Sequence, residues 1–256
     1  MNSTPIVIEL VDVDVSHEDA PETILVRGVK WRIAQGDFWV VGGDQASGKT
    51  SLIATAAGLN RPASGMLRIF GRELLQASEA EQVDRRKRIG FVYENGGRLL
   101  SLLTVAENIA LPLQYHLHLD EAQLNARVDE LLAWADLEEY AGMAPSRLNV
   151  RVQQRVALAR ALAVPTEVLF LDNPLSGLGL RDARWWLDLL RKLHAKKGPK
   201  GEPLTIVAAS SDFRGWVDTA GQFGVIQQNE FRVIGGREQV LSSPEPAVRE
   251  FLATAI

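Results

Sequence analysis

Four residues in the segment VVGGDQASGKTSL have the types and spacing that bind phosphate groups. Gly43 is followed by four residues and then by Gly48, Lys49 and Thr50. This P-loop pattern follows an apolar run, DFWVV, and precedes residues that favour a helix, which is the context that the motif requires. Its backbone N–H groups face an anion, Lys49 can reach the β- and γ-phosphates, and the hydroxyl of Thr50 can contact Mg²⁺. The alternative is a glycine-rich turn with a surface lysine.

The predicted nucleotide contacts extend along this loop and into the first turn of the helix. They are Gly43, Asp44, Gln45, Ala46, Ser47, Gly48, Lys49, Thr50 and Ser51. A second apolar run, VLFLD, ends in Asp172. Any buried strand that meets a loop could end in this way, but the P-loop and the following NPLSGLG favour a carboxylate ligand for Mg²⁺ at Asp172.

The composition is that of a soluble globular protein. The chain has 256 residues, of which 46% are hydrophobic and 23% charged, and a net charge of −4, which gives no general case for nucleic-acid binding. No stretch has the roughly 20 apolar residues of a membrane helix, and MNSTPIVIEL does not resemble a signal peptide. Because cysteine is absent, disulfides and thiolate metal sites are excluded, which fits a reducing cytoplasm.

Strand and helix patterns alternate along most of the chain. Strands are predicted at 5–15, 24–33, 36–43, 66–72, 88–93, 167–172 and 204–209, with a hairpin at 222–236. Helices are predicted at 48–59, at 181–197 and at 243–256, and a mainly helical subdomain at 98–163 that includes a capping box from Asp120 to Gln123. The stretch KKGPKGEP (196–203) is typical of a solvated loop. We predict an α/β fold with a mixed central sheet, an N-terminal antiparallel β layer and a helical subdomain.

The order and spacing of four stretches resemble the ATP-binding subunit of an ABC transporter over essentially the whole chain. They are GGDQASGKTSL, RIGFVYENGGRLLSLLTVAENIALPL, VQQRVALARALAVPTEVLFLDNPLSGL and TIVAASSDF. The resemblance implies a P-loop NTPase of the ABC type as one domain, 1–256. Its RecA-like core with the β layer would comprise 1–97 and 164–256, and its helical subdomain 98–163. Within the family, ENGGRLLSLLTVAENIALPLQYH and PAVREFL are most similar to ATPases of the MCE/Mla type, which serve lipid transport.

The family's partners and cofactors follow from this resemblance as expectations. It implies ATP and Mg²⁺, a second ABC ATPase chain in a head-to-tail pair, and an integral-membrane permease. It also implies an MCE-type lipid-binding protein as a further partner, no nucleic acid, and a place on the cytoplasmic face of the cell membrane. Each ATP would lie between the P-loop of one chain and the signature segment of the other.

This chain departs from the family at the positions that support hydrolysis. The usual glutamine after GFVY is Glu94, whose carboxylate could still approach Mg²⁺, and the glutamate after Asp172 is Asn173, whose amide accepts no proton from water at neutral pH. The D-loop aspartate is Gly179 and the switch histidine is Ser211. No aromatic residue is present to stack on adenine near the N-terminus, where only His17 is available.

The signature segment is also altered, to Leu148-Asn149-Val150-Arg151-Val152. Asn149 is still a favourable helix N-cap. Val150 and Arg151 would bring side chains to a place where two glycines usually let the backbone approach a phosphate. Arg151 could pair with phosphate, with a carboxylate of a partner, or with solvent. The glutamate that usually acts as the base and the signature segment are both replaced. A dimer with one inactive and one active ATP site therefore does not explain these replacements.

Three functions are compatible with these observations. The first is a transporter subunit in which ATP drives dimer closure, and the second a non-hydrolysing ATP-binding scaffold or regulator. The third, an ABC ATPase that acts on DNA or ribosomes, is disfavoured because the chain has neither a long coiled-coil insertion nor a tandem ATPase domain. Whether the chain is an enzyme is left open by its sequence.

Other residues that attract attention have simpler interpretations. Trp185 and Trp186 fall on a predicted helix, where packing is the expected role. The basic run DRRKR (84–88) is interpreted as a solvated face. No carboxylate or cysteine pattern around the remaining histidines suggests a metal site; these are His116, His118 and His194.

Overall fold

The computed structural model describes residues 4–195 and 203–253. Its strands are β1 (Ile6–Ser16), β2 (Ile24–Ala34), β3 (Phe38–Gly43), β4 (Ser64–Ile69), β5 (Arg72–Glu73), β6 (Ile89–Val92), β7 (Val168–Asp172), β8 (Thr205–Ser210), β9 (Gln222–Gln227) and β10 (Glu230–Gly235). Its α-helices are α1 (Lys49–Ala56), α2 (Glu79–Lys87), α3 (Val105–His116), α4 (Glu121–Trp134), α5 (Val150–Ala161), α6 (Leu180–Ala195), α7 (Arg237–Leu241) and α8 (Pro246–Ala253).

The strands of the described residues form one mixed sheet in the order β5-β4-β1-β2-β10-β9-β3-β8-β7-β6. The pairs β3–β8, β3–β9, β7–β8 and β6–β7 are parallel, and β1–β2, β1–β4 and β9–β10 are antiparallel. Strands β3, β7 and β8 are buried along their whole length, as expected of parallel strands that are covered on both faces. The predicted mixed sheet with an antiparallel β layer is therefore confirmed.

Two apolar cores cover the two faces of the sheet. One lies between the β layer and α1 and includes Trp31, Leu52 and Ile53. The other lies under α6 and α8 and includes Trp186 and Phe251. The carboxyl ends of the parallel strands β3, β7 and β8 lie side by side, so the loops that follow them come together. In α/β proteins, ligands bind outside the carboxyl ends of parallel strands.

Helices α3, α4 and α5 surround a separate core, to which Ile109, Leu131 and Val156 contribute. The capping box from Asp120 to Gln123 is present. Helix α5 begins after Asn149, whose Oδ1 accepts a hydrogen bond from the N–H of Val152 at 3.1 Å. This region contains the helices that the sequence predicts between 98 and 163.

Helix α2 corrects the interpretation of the run DRRKR. Ser78 and Glu81 form a capping box at its start, a signal that the sequence analysis missed. Arg85 is only 8% exposed and lines a small cavity together with Ala57 and Gly58, so this side of the run is buried rather than solvated. Arg88 is also engaged, through two hydrogen bonds of 2.8 and 2.9 Å to Glu167.

The tryptophans on the predicted helix 181–197 have the packing role that the sequence predicts for Trp186 and a polar contact for Trp185. Trp186 is buried in the core, as packing requires, and Trp185 donates a hydrogen bond to Asp136. The predicted loop at 196–203 lies, except for Pro203, outside the described residues, as do the last three residues of the predicted C-terminal helix. None of the helices in the described ranges has both the length and the apolar character needed to cross a bilayer.

Candidate functional site

The loop between β3 and α1 has the conformation that its glycines permit. Gly48 has φ +94°, and a Cβ atom there would lie 3.0 Å from the side chains of Leu25 and Val26. A Cβ atom on Gly43 would lie 2.4 Å from Ser47 Oγ. Only glycine fits these two positions without displacing a neighbour. Steric contacts therefore restrict positions 43 and 48 of the motif to glycine.

Lys49 lies at the centre of this loop. Its side chain is buried, and Nζ donates hydrogen bonds to the carbonyl oxygens of Gly43 at 2.5 Å and Asp44 at 2.7 Å. Burial lowers the pKa of Lys49, whereas the nearby carboxylates of Asp172, Asp44 and Glu94 act in the opposite direction. A cation that is held only by carbonyl groups in a buried loop is well placed to neutralise a phosphate.

Thr50 and Asp172 meet across 122 residues of sequence. The hydroxyl of Thr50 lies 3.0 Å from both carboxylate oxygens of Asp172, at the end of β7. Asp172 is 3% exposed, and burial raises its pKa to about 6, with a further increase from the charge of Glu94. The hydrogen bond from Thr50, the charge of Lys49 and the backbone N–H of Glu94 partly offset this increase.

The structure therefore brings the predicted metal ligands Thr50, Asp172 and Glu94 together with Lys49. Glu94 begins a short 3-10 helix, Glu94–Gly96, directly after β6, and this places it at the same edge of the sheet as Asp172. The carboxylates and the hydroxyl are oxygen donors of the kind that Mg²⁺ prefers, alongside phosphate and water.

The site fits a Mg-nucleotide on two further observations. Ser47 Oγ is buried and has no hydrogen-bond partner in the described residues, although it lies inside the loop. Asp44, Gln45, Ala46 and Thr50 are exposed, so the loop is accessible from solvent while Lys49 is held inside it. Bound ATP would supply phosphate acceptors for the N–H groups, for Ser47 and for Lys49, and Mg²⁺ would supply a Lewis acid at Thr50 and Asp172.

The residues at the positions where the sequence analysis expects departures from the family have surroundings of their own. Asn173 follows Asp172 with φ 44°, and its N–H donates to the carbonyl of Ala209 at 3.1 Å. Gly179 and Ser211 are exposed, and His17 accepts a hydrogen bond from the N–H of Asp19. Left-handed backbone is tolerated by asparagine better than by most residues, which is consistent with Asn at position 173.

Arg151 is engaged within its own chain. Its Nη1 donates to Asp182 Oδ2 at 2.7 Å, on α6 of the same chain, a contact that the sequence analysis did not consider. Val150, its neighbour, is 45% exposed.

One residue of this region was missed by the sequence analysis. A Cβ atom on Gly96 would lie 2.5 Å from the carbonyl carbon of Gln153, on α5. Gly96, which has φ +66°, therefore lets the segment after β6 approach the backbone of α5 closely. The pair Gly96-Gly97 in the sequence was a signal for a close backbone approach.

Comparison with known proteins gives a consistent result. The sequence profile of the family described as ABC transporter matches residues 26–176. The methionine import ATP-binding protein MetN of Bifidobacterium longum is 32% identical over 90% of this chain and 56% of its own length. The sulfate/thiosulfate import ATP-binding protein CysA of Caulobacter vibrioides is 34% identical over 86% of this chain and 62% of its own length. The chain thus spans somewhat over half the length of these relatives.

The fold has matches among solved structures. A dimeric post-hydrolysis state of the ATP-binding cassette MJ0796, bound to ADP and Pi, superposes with a TM-score of 0.79 at 26% identity and covers 90% of this chain and 99% of the other. The predicted ABC-type fold is therefore confirmed, and the expected cofactors, ATP and Mg²⁺, are those that ABC ATPase domains bind. With a family profile across more than half of its length, this chain belongs to the ABC transporter family as an ATP-binding domain.

Proposed function

We propose that this chain is the ATP-binding subunit of an ABC transporter that holds Mg-ATP and hydrolyses it slowly or not at all. The single observation that supports the proposal is the assembly of Lys49, Thr50 and Asp172 around the P-loop, with Asn173 where a base would stand.

The chemistry of each residue follows from its position. Lys49 exchanges its carbonyl partners for the β- and γ-phosphates, and the N–H groups of the loop hold the remaining oxygens. Thr50 and Asp172 would hold Mg²⁺, and Glu94 would add a carboxylate beside them. The Asn173 amide cannot remove a proton from water, and general-base help is worth about 10²–10⁴-fold in rate. Binding is thus retained while turnover is slow.

Calorimetry and steady-state turnover on the same preparation test this proposal. Mg-ATP should bind to the folded chain, and Lys49→Ala should weaken binding by at least about tenfold, because a charge-assisted contact to phosphate is lost. Phosphate release by the purified complex should be far slower than nucleotide exchange. Fast turnover that persists in an Asp172→Ala variant would contradict the assigned site, and absence of Mg-ATP binding to well-folded protein would contradict the function.

The partners and location are part of the same proposal. We infer a second ABC ATPase chain and an integral-membrane permease, which would hold this subunit at the inner face of the cell membrane. Two similar proteins, MetN and CysA, are named for the import of methionine and of sulfate or thiosulfate, which favours an import system for this chain as well. Purification of the complex in mild detergent, with every bound chain identified, tests the permease and the pairing in one experiment.

Lipid cargo is a second proposal. It is supported by the resemblance of residues 94–116 and 246–252 to MCE/Mla-type ATPases. Co-purification of an MCE-type lipid-binding protein with this chain would favour it, and a solute-binding protein in its place would favour the import of a small polar solute.

A non-hydrolysing scaffold is the alternative role for the subunit, and it requires Mg-ATP binding with no phosphate release above the rate in buffer.

A further inference from the structure

The segment that follows β6 has three residues with left-handed backbone. Asn95, Gly96 and Arg98 have φ values of 58°, 66° and 65°. Asparagine and glycine adopt this conformation at little cost, whereas a residue with a long side chain keeps it only where its surroundings compensate for the strain. The conformation of Arg98 therefore depends on the contacts that this residue makes.

Three contacts hold Arg98 in place. Its guanidinium carbon lies 4.1 Å from the centre of the Tyr93 ring. Its Nη2 donates a hydrogen bond of 3.2 Å to Oε1 of Glu18, in the loop between β1 and β2. Its carbonyl oxygen accepts a hydrogen bond of 2.9 Å from Nη1 of Arg160, on α5. Arg98 thus connects the segment after β6 to the β layer on one side and to α5 on the other.

Tyr93 connects these contacts to the candidate metal site. Its ring is half-buried and packs on the ring of Phe91, on β6, at a centroid distance of 4.5 Å. The next residue is Glu94, whose N–H donates to the carboxylate of Asp172 and whose charge acts on both Asp172 and Lys49. A displacement of the Tyr93 ring would therefore move the backbone that places Glu94 beside Asp172.

We propose that Arg98 is a positioning residue for the metal site: its contact with the Tyr93 ring keeps Glu94 where the carboxylate contributes to Mg²⁺ binding. Within the described residues Arg98 makes no hydrogen bond or ion pair with the P-loop or with Asp172, so it acts through Tyr93. The inference rests on the proposed function, because it assumes that ATP and Mg²⁺ occupy the site.

Calorimetric titration of the chain with ATP, in EDTA and at several Mg²⁺ concentrations, separates the metal site from the phosphate loop. Arg98→Ala should raise the Mg²⁺ concentration for half-maximal enhancement of ATP binding about threefold, the size of an exposed cation–π contact. It should leave ATP binding in EDTA unchanged. Arg98→Lys keeps a cation over the ring, so it should restore most of the wild-type Mg²⁺ dependence.

Arg237→Ala is the matched control for the loss of an exposed, paired arginine. The side chains of Arg237 and Arg98 are 56% and 57% exposed, and Arg237 pairs with Asp218 at 2.9 Å. Because Arg237 lies on α7 and has no contact with the segment after β6 in the described residues, its replacement should change ATP binding neither with Mg²⁺ nor in EDTA.

A double variant tests the route through Tyr93. Tyr93→Phe keeps the ring and should behave as the wild type, whereas Tyr93→Leu removes it and should show the same Mg²⁺ defect as Arg98→Ala. In the Tyr93→Leu background, Arg98→Ala should have no further effect on the Mg²⁺ dependence. A full additional effect would show that Arg98 does not act through Tyr93 and would overturn the inference.

The outcomes distinguish this inference from the function on which it rests. Arg98→Ala that weakens ATP binding by the same factor with Mg²⁺ and in EDTA would indicate only a general effect on structure or charge. An unchanged Mg²⁺ dependence would mean that Glu94 needs no support from Arg98; both results overturn the inference. ATP binding by the wild type that does not respond to Mg²⁺, or Lys49→Ala that leaves ATP binding intact, would instead overturn the proposed function.

Discussion

Arg151 and Asp182 join the first turn of α5 to the first turn of α6 through a hydrogen-bonded ion pair of 2.7 Å. One turn further along α5, Arg155 lies 4.0 Å over the ring of Trp185 and 3.3 Å from Asp136. These two arginines therefore tie α5 to α6 of the same chain. The pair links two parts of the molecule with separate apolar cores, so its main effect is expected on their relative motion.

Removal of this link should loosen α5 without unfolding the protein. In Arg151→Ala we expect faster amide hydrogen exchange at the start of α5, with a loss of unfolding free energy below about 1 kcal/mol, because the Arg151 side chain is 56% exposed and surface pairs contribute little. The control is Arg191→Ala, which removes an exposed pair within α6 itself. Unchanged exchange in α5 would show that the link does not restrain it.

Gly96 should be intolerant of a side chain. Gly96→Ala places a methyl group 2.5 Å from the backbone of Gln153 and forces a residue with a Cβ to adopt φ +66°, so we expect a loss of about 1–3 kcal/mol in unfolding free energy. Gly142→Ala is the control, because its added methyl group would have no atom of the described residues within 4 Å and its φ is not left-handed. Chemical denaturation of the three proteins gives the comparison. Equal stability of the two variants would rule out the close approach of Gly96 to α5.

The raised pKa of Asp172 predicts the direction in which the stability of the fold changes with pH. Its folded-state pKa, about 6, lies above the ordinary 3.8, so ionisation of Asp172 destabilises the fold as the pH rises through 6. The asparagine of an Asp172→Asn variant cannot ionise. In metal-free buffer at pH 7, the free energy of unfolding of this variant should exceed that of the wild type by about 1–3 kcal/mol.

The advantage of this variant should vanish towards pH 4, where the wild-type carboxyl is protonated in the folded state. The measurement is urea unfolding of both proteins in chelator across this pH range. A difference that stays constant with pH would assign the effect to packing or hydrogen bonding rather than to the charge of Asp172.

Restoration of a carboxylate at position 173 should raise turnover. We expect Asn173→Glu to release phosphate about 10²-fold faster than the wild type, because a general base is regained beside the nucleotide. Glutamate is strained at φ 44°, so Asn173→Gln, which shares the strain but lacks the base, is the control. The same rate in both variants would mean that the changes at Glu94, Ser211 and the signature segment block hydrolysis by themselves.

The sequence alone determined most of the elements and the phosphate loop, because both depend on local rules. Buried strands are continuous apolar runs, glycines mark the loop before α1, and the Asp120–Gln123 capping box lies within four residues. Such patterns are complete within a short window, so no distant contact is needed to read them. The start of α2 is also marked by a local signal, the capping box of Ser78 and Glu81. The charged residues that follow were instead interpreted as a solvated face.

The roles of the charged side chains depend on contacts that form only in the folded chain. Thr50 and Asp172 are 122 residues apart, Arg151 and Asp182 are 31 apart, and Arg85 is buried at a cavity that Ala57 and Gly58 also line. The sequence around an arginine or an aspartate is the same whether its side chain is solvated, paired or buried. Its environment, and with it the raised pKa of Asp172, is created by strands and helices that meet only after the chain has folded.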